Sequence, residues 1–125
     1  KLFFSTDLVQ PDDIYKVISS AYIGLSFYKL NNPNNVLTGK SSHKLAHYTQ
    51  CGLPVISNDY PSIRNIMNEM NFGICVEKFS HIPKAIRKID SDYNYFRGNS
   101  FQSYSKYYKI DNYMNQVYDI IERRC

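Results

Sequence analysis

SSHKLAHYTQCGLPVIS, residues 41–57, contains a helix start, a helix stop and a strand in one run. Ser41 or Ser42 is a good N-cap, because a short side-chain oxygen accepts from a first-turn N–H that has no partner inside the helix. Gly52 is the residue type that closes a helix in the left-handed conformation, Leu53 folds back on the last turn, and Pro54 prevents continuation. The run therefore predicts a helix from about Ser42 to Cys51 and a strand over residues 54–58. One feature sits badly. His43 and Lys44 fall in the first helical turn, where the backbone already carries about half a positive charge.

The same alternation extends in both directions. Upstream, KLFFS reads as a short buried strand. PDDIYKVISSA opens with proline and two acids, the preferred chemistry of a first turn, and spaces Ile14, Val17, Ile18 and Ala21 on one helical face. YIGLSFY is a second strand, with Gly24 allowing a close neighbour. Lys29 to Ser41 is a long loop rich in asparagine, of the length that compact domains keep for function or motion.

Downstream, SIRNIMNEMN places Ile63, Ile66, Met67 and Met70 on one face, FGICV is a further strand, and HIPKAIRKI starts another helix near Ile82. The tail from Asp90 to Arg124 predicts two helices with a break near Ile110–Asp111. Its aromatics (Tyr93, Phe96, Phe101, Tyr104, Tyr108, Tyr113 and Tyr118) are expected to pack on the sheet. Strands and helices in strict alternation mean a parallel sheet with crossover helices, an α/β doubly wound unit of about four strands. In such sheets a ligand sits beyond the carboxyl ends of the strands, where loops meet helix N-termini. The loop 29–41 and the helix at Ser42 are at such a place.

Composition agrees with one ordinary globular domain spanning residues 1–125, with 90–125 as its C-terminal helices. Hydrophobic residues make up 43% and charged residues 21%, which excludes a disordered chain. The net charge of +4 is too mild for a nucleic-acid binder and suits an anionic small molecule or a membrane surface. Its distribution is uneven: no acid occurs between Asp13 and Asp59, whereas even spacing of 11 acids over 125 residues would place about four there. That gap holds Lys16, Lys29, Lys40, His43, Lys44 and His47. Three distant cysteines, Cys51, Cys75 and Cys125, fit neither a disulfide framework nor a zinc site, and Cys75 reads as a small core residue. With no apolar run near 18 residues and no signal peptide, the expected compartment is cytoplasmic. A chain starting at Lys1 inside a strand reads as a piece of something larger.

The misplaced cations have a physical rationale. In the empty protein Lys44 and His43 oppose the helix dipole by a few tenths of a kcal/mol, and a bound phosphate reverses the sign. Ser41, Ser42 and backbone N–H groups would donate to it, Lys44 would supply a point charge, and Gly39 would let the backbone approach. The bland alternative is that Lys44 points into water and Ser42 is only a cap. Neither a P-loop nor a dinucleotide glycine motif is present. Asp7 and Asp59 read as turn or cap residues and His81 as a polar surface residue.

SSHKLAHYTQCGLPVIS followed by NDYPSIRNIMNEMNFGICV resembles the C-terminal nucleotide-sugar domain of GT-B glycosyltransferases of the group-1-like, retaining branch, in divergent form. Those domains read as a small residue, lysine, a glutamate-containing helix, an A-x-G-x-P-V-I strand, a helix and a G-x-x-V strand. LFFSTDLVQPDDIYKVISSAYIGLSFY is similar to the preceding family segment, so the likeness covers about residues 1–90. It implies a Rossmann-like C-terminal half of a GT-B fold. Gly39, Ser41, Ser42 and Lys44 would then lie at the diphosphate, and Thr6, Leu8 and His47 near the base or ribose. His47 stands where many relatives carry the ribose-binding glutamate, and Gly39 where a second, donor-sugar glutamate falls, so the E-x7-E motif is absent. His47 is left between a ribose contact and a surface-helix histidine.

The resemblance further implies metal-independent transfer from a UDP- or GDP-sugar, with no cofactor, to a glycan or lipid-linked acceptor held by an absent N-terminal domain. This is the chemistry of enzymes that build bacterial surface polysaccharides. The fragment alone would bind nucleotide and not turn over. No catalytic residue and no metal ligand are assigned; nucleic acid is not an expected partner, and this piece has no membrane segment, the resemblance implying any membrane association only through the absent part. The competing reading is a non-catalytic, degenerate α/β interaction module without nucleotide affinity.

Overall fold

The computed structural model describes residues 7–29 and 38–123. The KLFFS strand and Thr6 lie outside the described residues, as do loop positions 30–37 and Cys125. After a 3-10 turn at Pro11–Asp13 come α1 (Ile14–Ser19), β1 (Gly24–Ser26), a short α2 (Thr38–Ser41), α3 (His43–Gln50) and β2 (Val55–Asn58). Then follow α4 (Pro61–Met70), β3 (Gly73–Val76), a 3-10 turn at Phe79–His81, α5 (Ile82–Ser91) and α6 (Tyr93–Ser103). A π-helical turn at Tyr104–Tyr108 leads to α7 (Asp111–Glu122). The end of the long loop is thus helical rather than irregular: Thr38–Ser41 make one turn before Ser42 restarts the chain as α3.

Among the described residues the sheet has three strands, all parallel, in the order β1-β2-β3. Gly24 pairs with Val55 and Val55 with Gly73, and the register holds through Ser26–Ser57–Cys75. Side chains alternate across β2, so Val55 faces one core and Ile56 the other. On the first face, Leu45 of α3 and Ile63, Ile66 and Met67 of α4 close over Val55 and Phe72. On the second, Ala85 and Ile89 of α5 and Phe96 of α6 cover Ile56 and Val76. Both crossovers lie on the first face, which a sheet advancing steadily in one direction requires. The result is helix, sheet, helix in three layers, the α/β class expected.

The stop after α3 works as the sequence implies. Gly52 takes φ +70°, its N–H donates to Thr49 O at 3.0 Å, and Leu53 N–H reaches back to Tyr48 O at 2.9 Å. Ser100 Oγ, from α6, donates to Leu53 O at 2.9 Å and holds the turn from outside. α1 is less well buried than its pattern predicts: Ile14 and Ile18 are half-covered, whereas Val17 is 51% exposed. Of the tail aromatics, Phe96 and Tyr93 pack on the second core and Tyr108 on the first, as expected. Tyr113 and Tyr118 do not, being 45% and 55% exposed. Cys75 is half-buried beside Met67, and burial pushes its thiol up to about 12.

Two glycine substitutions separate these effects. Gly52→Ala combines a left-handed φ with a Cβ only 2.3 Å from the Phe101 ring, and should cost more than about 1 kcal/mol in denaturant unfolding. Gly98→Ala, in the middle of α6 with nothing within 4 Å of the new methyl, should stabilise by about 0.5–1 kcal/mol.

Candidate functional site

Ser42 begins α3 from an extended conformation, and its hydroxyl accepts from Leu45 N–H at 3.1 Å. The same hydroxyl is hydrogen-bonded to the Tyr28 hydroxyl. Tyr28 follows β1 and is pinned by Asn58 at the end of β2: Tyr28 N–H donates to Asn58 Oδ1 and Asn58 Nδ2 donates to Tyr28 O, each at 3.0 Å. Asn58 therefore completes the ladder where the strands part, and the start of α3 is fastened to the carboxyl edge of the sheet. Ala46 N–H bonds Ser42 O as the first regular helical bond, and the first-turn N–H groups of His43 and Lys44 precede it in the chain. The Lys44 ammonium stands over the Tyr28 ring, 5.4 Å from its centre.

Gly39 is buried for a different reason than ligand approach. A Cβ there would stand 2.3 Å from Ser62 O, so α2 meets the start of α4 backbone to backbone. Its N–H donates to Ser62 Oγ at 3.2 Å and its carbonyl accepts from the Tyr108 hydroxyl at 2.6 Å. Any side chain at this position would need the start of α4 to move. Burial pushes the Tyr108 hydroxyl far above the ordinary tyrosine range.

Beside the outer face of α3 lies a cleft of about 400 Å³. Ser42, His43 and His47 line it from the α3 side, with Lys40 and Ser41 from α2. Tyr15 of α1 meets His47 edge to face at 5.3 Å, and His43 lies 6.4 Å from His47 ring to ring. The opposite wall is Tyr104, Tyr107 and Tyr108 of the π turn, with Ile110 and Tyr113 beyond. Lys40 and Lys106 lie over the Tyr107 ring at 4.4 and 4.9 Å. Glu69 gathers Lys106 (2.8 Å) and the Tyr107 hydroxyl, and those two bonds hold its carboxyl below the usual range.

The residues singled out from sequence are thus divided. Ser41, Ser42 and His47 share the cleft, Lys44 sits over Tyr28, and Gly39 is packed beneath α4. Leu8 is 93% exposed. Asp59, read as a turn residue, is the bidentate partner of Arg64. Sequence reasoning missed Tyr28, Asn58, Tyr15, Lys40 and the π-turn tyrosines. Only the spacing of Tyr104, Tyr107 and Tyr108, three and four apart, announced a shared face. Among the described residues no three His, Cys, Asp or Glu side chains converge as metal ligands, and no helix is long and apolar enough to cross a membrane. Burial raises both described thiols, Cys51 and Cys75, away from the nucleophilic thiolate.

The sequence model described as "Glucosyltransferase 3-like, C-terminal domain" matches residues 4–118, nearly the whole chain. The chain belongs to that family. No curated protein and no solved structure matches this chain.

Two measurements test this local architecture. Ser42→Ala removes both the cap and the Tyr28 partner, and should lower unfolding free energy by about 1–2 kcal/mol. For Tyr108 the folded pKa is raised, so its contribution is complete below the ordinary value of about 10 and is lost as pH rises past it. Unfolding midpoints should therefore fall steeply in alkali, and Tyr108→Phe should flatten that slope, with a remainder from Tyr48 and Cys75, which burial shifts the same way.

Proposed function

We propose that this glucosyltransferase-family domain is the donor-binding half of a GT-B-type enzyme, and that the amino terminus of α3 holds the diphosphate of a nucleotide sugar. The single observation that carries the reading is the fastening of that terminus, through Ser42, Tyr28 and Asn58, to the carboxyl edge of a parallel sheet. Ligands of open α/β sheets bind at such edges, and a helix start supplies N–H donors and positive potential together. Lys44 adds charge where an empty helix would not want it.

In this reading the His43 and Lys44 N–H groups, the Ser41 hydroxyl and the Lys44 ammonium surround the diphosphate. Ser42 contributes by orienting the turn, since its own hydroxyl is bonded to Leu45 N–H and Tyr28. When the glycosidic bond breaks, its electron pair goes to the leaving diphosphate oxygen. Donors already aimed at that oxygen lower the barrier, because the charge they meet is larger in the transition state than in the ground state. No metal is assigned a part. His47 would face the ribose, with a ring nitrogen in place of the family carboxylate. The acceptor, a glycan or lipid-linked sugar, would be held by a partner domain, in a cytoplasmic pathway of polysaccharide synthesis.

The second reading, a non-catalytic interaction module, draws support from Ser42, whose hydroxyl is committed to structure. Calorimetry separates the two. UDP or GDP should bind the full chain, and Lys44→Ala should weaken that nucleotide by about 1.5 kcal/mol or more, the scale of a charge-assisted hydrogen bond. Absence of binding by either nucleotide at millimolar concentration would overturn the donor-site reading in favour of the module.

A further inference from the structure

We infer that the outer side of β3 takes an added strand, an extended acidic segment of a partner polypeptide, held by the Gly73 and Cys75 backbone and by Lys84 and Lys88 of α5. None of the residues that line this edge borders the cleft beside α3, so the edge works whichever ligand that helix start holds. In a parallel ladder the N–H and C=O of one residue point to the same side, and successive residues alternate. Val55 N–H donates to Phe72 O, so Phe72, Ile74 and Val76 face β2, while Gly73 and Cys75 turn both groups outward. Among the described residues no strand pairs with them. A row of alternating donors and acceptors is met in full only by another extended backbone, which is how sheet edges recruit peptides.

Side chains give that edge a shape and a charge. Two clefts of about 420 and 530 Å³ flank it and share Ile74, Cys75, Glu77 and Lys88, so they form one furrow along the strand. Its floor is apolar, with Ile74, Val76 and Ala85 from the second core and Cys75 and Met67 from the first. On the first-core side the cation is Arg64, which Asp59 neutralises. On the second-core side Lys84 and Lys88 are exposed, and among the described residues neither forms an ion pair. These two lysines are one turn apart, about 6 Å along α5, and alternate residues of a strand are about 6.6 Å apart. Acids at i and i+2 of an added strand share one face and so meet one lysine each. A second copy of this chain fits worse, because two-fold pairing of β3 with itself would bring the lysine pairs of both copies together.

The probe is the peptide acetyl-Thr-Glu-Val-Glu-Val-Thr-amide, titrated into the full 125-residue chain with NMR and amide hydrogen exchange as readouts. It should bind with a Kd below about 1 mM. Exchange at the Gly73 and Cys75 amides should slow roughly tenfold or more, because both face water in the free chain. Lys84→Ala and Lys88→Ala change exposed positions and should leave unfolding unaltered. Each should weaken the peptide about threefold, the scale of one surface ion pair. The isomer acetyl-Thr-Val-Glu-Glu-Val-Thr-amide, whose acids fall on opposite faces, should weaken by a similar factor. N-methylation of alternate residues should abolish binding in one of its two phases and spare it in the other. Absence of binding at millimolar peptide, or binding that leaves the Gly73 and Cys75 amides unprotected, would overturn the added strand. Equal binding of acetyl-Thr-Lys-Val-Lys-Val-Thr-amide would overturn the acidic assignment. Protection of the same amides through self-association without peptide, read by sedimentation, would make the occupant a second copy and overturn the partner segment.

Discussion

Asn58 ties together the carboxyl edge of the sheet where β1 and β2 part. Its side-chain amide meets both backbone groups of Tyr28, a residue 30 positions away, and so continues the parallel ladder one step beyond the point where β1 and β2 end. Tyr28, held by that amide, presents its hydroxyl to Ser42, and Ser42 caps α3. Through this chain the positive end of a helix is placed against the carboxyl edge of the sheet. Each link is an ordinary hydrogen bond of modest net worth, yet together they fix position, and a preorganised site depends on position more than on any one contact energy.

A second constraint works from below. Gly39 lets α2 touch the start of α4, and the Tyr108 hydroxyl closes over its carbonyl. The π turn that carries Tyr108 also carries Tyr104 and Tyr107, so the contact that buries Gly39 erects the wall of the adjoining cleft. π turns interrupt regular helices and are frequent at functional sites. Here the hydroxyls of Tyr108 and Tyr107 are tied to Gly39 O and Glu69, and that of Tyr113 to Tyr107 O. Only glycine fits at position 39 without a shift, because the Ser62 carbonyl stands where a Cβ would go.

What could be read from sequence was what is local. Ser42 as cap, Gly52 as left-handed stop and the alternation of apolar strands with helices depend on neighbours within one or two turns, and among the described residues each appears where the pattern puts it. The helical turn at Thr38–Ser41 was not legible, since it depends on Ser62 and Tyr108. The Asn58–Tyr28 clamp was likewise hidden, because nothing in NDYP or SFYKL marks one as the other's partner. The tail tyrosines were read as one group. Tertiary contacts divide them, sending Tyr93 and Phe96 into a core and Tyr113 to a cleft. The cations of the first turn were visible, but not that Lys44 would lie over Tyr28 while His43 and His47 turn toward the tyrosines.

The central claim is that the amino terminus of α3 is an anion site at the sheet edge. Backbone amide mapping by NMR during titration with UDP tests it most directly. The largest shifts are predicted at the His43 and Lys44 amides, whose N–H groups would meet the diphosphate, with smaller changes at Ser41 and Tyr28. Shifts confined to the far side of the sheet edge, around Phe79 and Glu77, or spread over the lysines of α5, would contradict it.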